Sequence, residues 1–324
     1  MTHAIRFHKT GGPEVLVWEE VNVGKPGTGE VRIRHTAVGL NFVDIYNRSG
    51  VYPLALPSGL GGEGAGVVEE VGPGVTELKA GDRVAYGAAP LGAYAEARLI
   101  PAERLLKLPD SIDDKTAAAM MLKGLTVQYL IRQTYRVKAG DTILLHAAAG
   151  GVGLILSQWA NHLGATVIGT VGSDEKAALA KAHGCAHTIV YSREDFVKRV
   201  DEITGGKKVP VVYDSVGKDT FLKSLDCLAP LGVAALFGQS SGGVEPLNLG
   251  LLAQKGSLYV TRPTLNTYAA KAESLRAMAK ELFEVVSSGA VKINVNQTYP
   301  LKDAAKAHAD LAARKTTGST VLLV

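Results

Sequence analysis

Two cysteines in 324 residues, Cys185 and Cys227, are too few for a disulfide framework and too far apart for a C-x-x-C metal lobe. The eight histidines form no zinc motif of the H-E-x-x-H kind. No long apolar run and no leader-like start is visible, so the expected setting is a reducing cytoplasm rather than a membrane or a secreted one. The formal charge of +4 is small for this length and is spread along the chain. That disfavours a nucleic-acid face or a polybasic membrane segment, both of which need clustered Lys and Arg. Low-complexity tracts and short-period repeats are absent as well. What remains is an ordinary globular composition, 46% hydrophobic and 20% charged, in a chain long enough for two domains.

The most informative stretch is Asp141-Thr-Ile-Leu-Leu-His-Ala-Ala-Ala-Gly-Gly-Val-Gly153, an apolar strand that turns through small residues into a helix. Gly150, Gly151 and Gly153 permit a tight turn and close approach to a pyrophosphate. The helix that follows, roughly 152–163, aims its free N–H groups at that phosphate. The first glycine of the G-x-G-x-x-G pattern is Ala148 here, and small residues after a strand also serve plain helix–sheet packing. A second signal supports the dinucleotide reading. The strand 166–171 ends at Val171, where an NAD site carries an acid for the ribose hydroxyls. Gly172, Ser173, Lys176, Tyr191 and Arg193 follow, supplying donors and positive charge suited to the 2′-phosphate of NADPH; the plain alternative for Lys176 is a solvated helix lysine.

Organisation changes along the chain. Residues 1 to about 120 alternate short strands with Gly/Pro turns and read as largely β. From about 124 to 260 strands and helices alternate: strands at 142–147, 166–171, 187–190 and 209–214, helices at 152–163, 174–183 and 194–204. This rhythm predicts a doubly wound parallel sheet. Gly232 to Gly238 reads as a later strand, 271–289 as a helix, and 319–324 as a strand returning to the first domain.

Gly59 to Val84, with its Gly-rich turn, alternating strand and Gly-Asp pair, joins Gly39 to Gly50 and the Ala-Ala-Gly-Gly-Val-Gly loop as a set. Tyr213-Asp-Ser-Val-Gly217, Phe237-Gly-Gln-Ser-Ser-Gly242 and Thr261-Arg-Pro263 complete it. This set closely resembles the quinone oxidoreductase, or zeta-crystallin-like, branch of the medium-chain dehydrogenase/reductase superfamily, over essentially the whole chain. The resemblance implies an α/β fold: a mainly-β GroES-like catalytic domain over 1–123, a Rossmann doubly wound domain binding NADPH over 124–265, and a return to the catalytic domain over 266–324. It also implies a missing metal, since zinc-bearing relatives place Cys, His and Cys where this chain has Asn41, Gly62 and Lys123, none of them an ordinary zinc ligand. Without that Lewis acid the expected acceptor is an electron-poor, conjugated one.

Site residues carried by the resemblance fall into two groups. Asn41, Tyr46, Tyr52 and Arg262 are catalytic candidates, although Asn41 also reads as a turn or cap residue, the tyrosines as packing and Arg262 as half of an ion pair. For the cofactor, Phe42, Val43, Asp44, Ile45, Tyr46, Lys123, Thr126 and Tyr129 approach the nicotinamide half, and Gly150, Gly151 and Val152 the pyrophosphate. Gly172, Ser173, Lys176, Tyr191 and Arg314 surround the adenosine phosphate, and Gly238, Gln239, Ser240 and Ser241 line the pyrophosphate or ribose. Arg314 would couple phosphate binding to closure. The expected activity is NADPH:quinone oxidoreduction without zinc or flavin, in a homodimer acting on a small-molecule quinone. Reduction of enals or enones, and a weakly catalytic NADPH-gated RNA-binding or structural role, are the alternatives. His146, inside an apolar strand, reads as a satisfied core histidine.

Overall fold

The computed structural model describes residues 2–324. Two units emerge: residues up to 125 with 268–287 and 293–324, and residues 126–267 with 288–292.

The first unit is built on sheets that are antiparallel except for the pair formed by its last two strands. Strand β1 (Thr2–Phe7) pairs with β2 (Val17–Val21) and with β4 (Ser58–Gly59). A seven-stranded sheet contains β3 (Glu30–Leu40), β5 (Gly64–Val71), β6 (Arg83–Tyr86), β7 (Ala97–Pro101), β8 (Leu106–Lys107), β15 (Val295–Pro300) and β16 (Ser319–Leu323), with β3 at its centre. Alternation along β3 sends Val31, Ile33 and His35 inward, while Arg32 and Arg34 face out and reach Glu69 on β5 at 3.1 and 2.6 Å. Val31, Ile33, Val68, Val84, Ile100 and Leu322 are fully or almost fully buried and form the centre of this core. Beyond Ala37 the alternation stops and Val38 to Leu40 are all buried, because the strand there is covered on both faces.

Two helices that begin in this unit were not read from the sequence, apart from Tyr129, which the resemblance places on a helix. Helix α1 (Phe42–Ser49) occupies what reads as the Asn41 loop, and α2 (Asp114–Tyr129) interrupts the stretch read as largely β. Eight residues are too few to show a helical period, and α2 has no polar face to show one, since Ala117 to Met121 are all without exposure. The alternation of Asn41 and Asp44 starts α1: the Asp44 carboxylate accepts the Asn41 N–H at 2.9 Å and the Asp44 N–H donates to the Asn41 carbonyl at 3.0 Å. Gly50, in the left-handed region at φ 83°, ends it.

The second unit is a six-stranded parallel sheet. Its strands are β9 (Thr142–Leu145), β10 (Thr166–Val171), β11 (Cys185–Val190), β12 (Val209–Asp214), β13 (Leu228–Leu236) and β14 (Tyr259–Thr261), in the order β11-β10-β9-β12-β13-β14. Winding runs outward in one direction from β9 to β11 and in the other from β12 to β14, which puts the topological switch between β9 and β12. Helices α3 (Gly151–His162), α4 (Asp174–Ala182) and α5 (Phe196–Thr204) are the crossovers. Asp195 caps α5 by accepting the Val197 N–H at 2.9 Å, and Gly205 at φ 58° stops it. Several boundaries differ from expectation, among them β11, which starts at Cys185, and α5, which starts at Phe196. β9 ends at Leu145, not 147, because Ala147 has turned to φ 56°, and β13 begins at Leu228, running through Gly232 instead of starting there. At the outer edge of the sheet, β14 leaves Tyr259 60% and Val260 38% exposed.

Candidate active site

At the switch point the chain leaves β9 and enters α3 through Ala147 to Gly150. No side chain caps the first turn of α3, so its leading N–H groups are left for a ligand. Gly153 makes that turn possible, since a Cβ there would lie 2.5 Å from the Ala147 carbonyl oxygen. This is a cradle that an anionic diphosphate fits. Opposite it the loop after β12 is fixed by Asp214, whose carboxylate accepts the N–H groups of Val216 at 2.7 Å and Gly217 at 3.1 Å and the Thr220 hydroxyl at 2.7 Å. That loop in turn holds Gly238 to Ser241: Ser240 N donates to Ser215 O at 3.1 Å and Ser241 Oγ to Val216 O at 2.8 Å. Gly238, Gln239, Ser240 and Ser241 therefore stand together at the C-terminal edge of the sheet.

The end of β10 gathers the residues expected at a 2′-phosphate. Ser173 is the N-cap of α4, and its hydroxyl accepts the Lys176 N–H at 3.4 Å. Tyr191 is tied back by its N–H to Val171 O at 3.1 Å, and its phenol stands over Gly172, 3.0 Å from where a Cβ would sit. Acids are near as well. Asp174 is engaged by Arg193 at 2.7 Å and is held below the usual carboxylate range by that hydrogen bond. The sequence reading passed over this pair, although Asp174 directly follows the Gly172-Ser173 signal.

On the first unit, Asn41 is buried at the start of α1 and its side-chain Nδ2 donates to Glu63 Oε2 at 2.7 Å. Lys123 Nζ, on α2, reaches the same oxygen at 3.0 Å, and the Leu122 N–H takes the other at 2.9 Å. Glu63 has no exposure and the Lys123 side chain 7%. The sheet accommodates this carboxylate only because residue 39 is glycine: a Cβ there would lie 2.1 Å from Glu63 Oε2 and 2.2 Å from the Ala118 carbonyl oxygen. Glu63 was missed in the sequence, where an acid within a Gly-rich run has no visible partner.

Along α1, Phe42 and Val43 are half-buried while Asp44, Ile45 and Tyr46 are buried. The Phe42 and Tyr46 rings meet edge-on with centroids 5.3 Å apart, and Tyr46 and Tyr52 at 5.2 Å, an aromatic cluster that starts at Asn41. Asp44 Oδ2 accepts the Tyr94 hydroxyl at 2.9 Å; Tyr94 meets His308 Nε2 at 3.1 Å, and His308 Nδ1 meets Arg48 Nη1 at 3.1 Å. Burial pushes His308 down to about 3, so it is neutral and the chain of donation runs Arg48, His308, Tyr94, Asp44. Asp44 Oδ1 is buried without a hydrogen-bond partner.

The remaining residues are more dispersed. Thr126 and Tyr129 are buried in the second unit. Arg262 is exposed and donates to the Leu236 carbonyl at 3.0 Å, where an ion pair was the plain alternative. Arg314 is exposed after the C-terminal helix, at φ 59°. His146 is fully satisfied by Thr170 Oγ1 and Ser224 Oγ, each at 2.8 Å.

Zinc does not fit the first unit's polar cluster. Among the positions matched to zinc ligands, Asn41 and Lys123 point nitrogen donors at Glu63, Gly62 has no side chain, and the Lys123 ammonium would repel a cation. No group of three or more His, Cys, Asp or Glu among the described residues is placed to hold a metal ion.

The comparisons with known proteins agree with this architecture. The family described as alcohol dehydrogenase GroES-like domain matches residues 27–110, and that described as zinc-binding dehydrogenase matches 151–283. A quinone oxidoreductase of Pseudomonas aeruginosa is 59% identical over 324 residues, covering 100% of both chains. The chain belongs to the quinone oxidoreductase branch of the medium-chain dehydrogenase/reductase superfamily. A 2-haloacrylate reductase of a Burkholderia species is 52% identical, covering 100% of this chain and 99% of its own. The crystal structure of an Escherichia coli quinone oxidoreductase complexed with NADPH superposes with a TM-score of 0.98 at 52% identity, covering 100% of both chains.

In this branch member Asp44 should leave a signature in the pH dependence of stability. Burial, the largest cause, raises its carboxyl from 3.8 to about 7, against the opposing Asn41 N–H, the Tyr94 hydroxyl and the Lys123 charge, with Glu63 adding to the rise. The folded protein thus keeps a proton between pH 4 and 7 that the unfolded chain has released, so this contribution to stability falls as pH rises through that window and is flat above it. Urea midpoints of Asp44→Asn should therefore decline less steeply than the parent's across it. Parallel curves for parent and variant would show that Asp44 titrates as an ordinary carboxylate.

Proposed function

We propose that the protein is an NADPH-dependent quinone oxidoreductase that works without zinc or flavin. The reading is carried by the full-length match to quinone oxidoreductases, one of them solved with NADPH, in a chain whose own β10 ends without an acid. NADPH, when bound, supplies a hydride to the acceptor. The first turn of α3, at Gly150, Gly151 and Val152, holds the diphosphate by N–H donation and the helix dipole. Gly238, Gln239, Ser240 and Ser241 line the ribose. Ser173, Lys176 and Tyr191, over the open backbone of Gly172, take the 2′-phosphate through charge-assisted hydrogen bonds. Thr126 and Tyr129 support the nicotinamide half. Asn41, Tyr46 and Tyr52 receive the acceptor, with Tyr46 and Tyr52 offering ring faces to a flat quinone. Arg262 supplies positive charge toward the acceptor oxygen.

A second reading, reduction of a conjugated alkene, is favoured by one observation, the 52% identity to a protein named 2-haloacrylate reductase. A turnover panel of quinones against conjugated enals and enones separates the two. The small, dispersed charge disfavours the nucleic-acid role. Two buried free cysteines support a reducing, cytoplasmic setting, and among the described residues no helix is long and apolar enough to cross a membrane.

A homodimer is proposed through β14, whose unpaired outer edge presents Tyr259 and Val260 as a template for the same strand of a second copy. Sedimentation should show a dimer for the parent and a monomer for the double variant Tyr259→Lys, Val260→Lys. A monomeric parent, or a variant that stays dimeric, contradicts the assignment.

Cofactor choice tests the phosphate site. Lys176→Ala should weaken NADPH binding about tenfold or more while leaving NADH within about twofold, since only the phosphorylated ribose loses a partner. Equal dissociation constants of the parent for NADPH and NADH, read by nicotinamide fluorescence, would contradict the reading.

A further inference from the structure

The ion pair between Lys123 and Glu63 is unusual for a purely structural element. A buried Lys–Glu pair adds little stability over apolar residues of the same volume. This one is also incomplete. An ammonium carries three N–H donors, and among the described residues Lys123 has a single acceptor, Glu63 Oε2 at 3.0 Å, although its side chain is only 7% exposed. Buried N–H groups without acceptors cost stability, so the arrangement needs a reason other than packing. Glu63, by contrast, is saturated: Asn41 Nδ2, the Leu122 N–H and Lys123 Nζ all donate to it within 3.0 Å. The carboxylate therefore fixes the ammonium in place and leaves its remaining N–H groups for something else.

Two further observations say where that something lies. Asn41 and Lys123 share one carboxylate oxygen, so the ammonium sits beside the start of α1, the helix whose Phe42, Tyr46 and neighbouring Tyr52 form the aromatic cluster. Gly62, next to Glu63, is buried, and a Cβ there would fit in ordinary contact with Leu91 Cδ2 at 3.7 Å and Leu122 Cδ1 at 3.9 Å, so the chain leaves a methyl's worth of room beside the carboxylate.

We propose that the Lys123 ammonium is the fixed cation that binds the acceptor oxygen on which negative charge develops, and that Glu63 is its positioning residue. The proposal rests on the quinone-reduction reading. NADPH gives a hydride, two electrons and one hydrogen nucleus, to the quinone, forming the hydroquinone monoanion and NADP⁺. Lys123 hydrogen-bonds the new oxyanion without losing its proton, and water supplies the second proton as the hydroquinone leaves. The electrostatic work is that of a metal Lewis acid, done by an organic cation.

The test compares Lys123→Met with the double variant Glu63→Gln, Lys123→Met, which buries no lone carboxylate and so keeps the fold where the single change does not. The acceptors are 1,4-benzoquinone and the weaker 2-methyl-1,4-naphthoquinone. In the double variant kcat should fall about 10- to 100-fold, and more for the weaker acceptor, which depends more on oxyanion stabilisation. Glu63→Gln alone should lower kcat with little change in KM, and Lys123→Arg should recover part of the rate. Double-variant turnover close to the parent's with both quinones, or an equal loss for both accompanied by weaker NADPH binding, overturns the proposal. A parent that reduces neither quinone would instead sink the functional reading.

Discussion

One buried carboxylate organises the start of α1 and the Leu122–Lys123 turn of α2. Glu63 lies at the head of β5 with no exposure, and an unpaired charge there would cost several kcal/mol, so every group around it is arranged to answer it. Asn41 at the start of α1 and the Leu122–Lys123 turn of α2 are drawn to its two oxygens, and Gly39 on β3 gives up a side chain so that it fits. Removing one partner of such a pair costs about 3–5 kcal/mol. The position of α1, and with it the aromatic cluster of Phe42, Tyr46 and Tyr52, follows from this set of donors.

The cofactor side depends on a different constraint, the need to satisfy backbone groups where strands give way to helices. At the switch between β9 and β12 the chain exposes the leading N–H groups of α3 without a cap, which is wasteful in a protein with nothing anionic to bind. Asp214 shows the opposite case, a side chain that accepts two backbone N–H groups and the Thr220 hydroxyl and so fixes the loop beside it. Absence of an acid after β10 completes the picture and turns a general dinucleotide fold toward the phosphorylated cofactor.

The parallel sheet was legible because its strands are continuous apolar runs between helices of ordinary length, and β10 and β12 run as read, 166–171 and 209–214. Where the physics is local, as at the start of α4 at Asp174, sequence and structure agree. Two helices escaped for physical reasons: α1 is too short for a period, and α2 is buried all round, so that its Ala and Met run shows no polar face. Glu63 and the Asp44–Tyr94–His308–Arg48 chain escaped because their partners are far apart in sequence, up to 260 residues in the case of Arg48 and His308. Such pairings are set by tertiary packing, and no spacing in the chain announces them. Lys123 was visible as a missing metal ligand and as a residue near the nicotinamide; the carboxylate that holds it was not.

The central claim is that quinone reduction here needs no metal, because a fixed ammonium stands in the polar cluster of the first unit. Zinc content and NADPH-dependent quinone turnover, measured on the same sample before and after dialysis against a strong chelator, test it most directly. The account predicts full turnover with zinc far below one ion per chain. Stoichiometric zinc whose removal abolishes turnover, and whose return restores it, would contradict it.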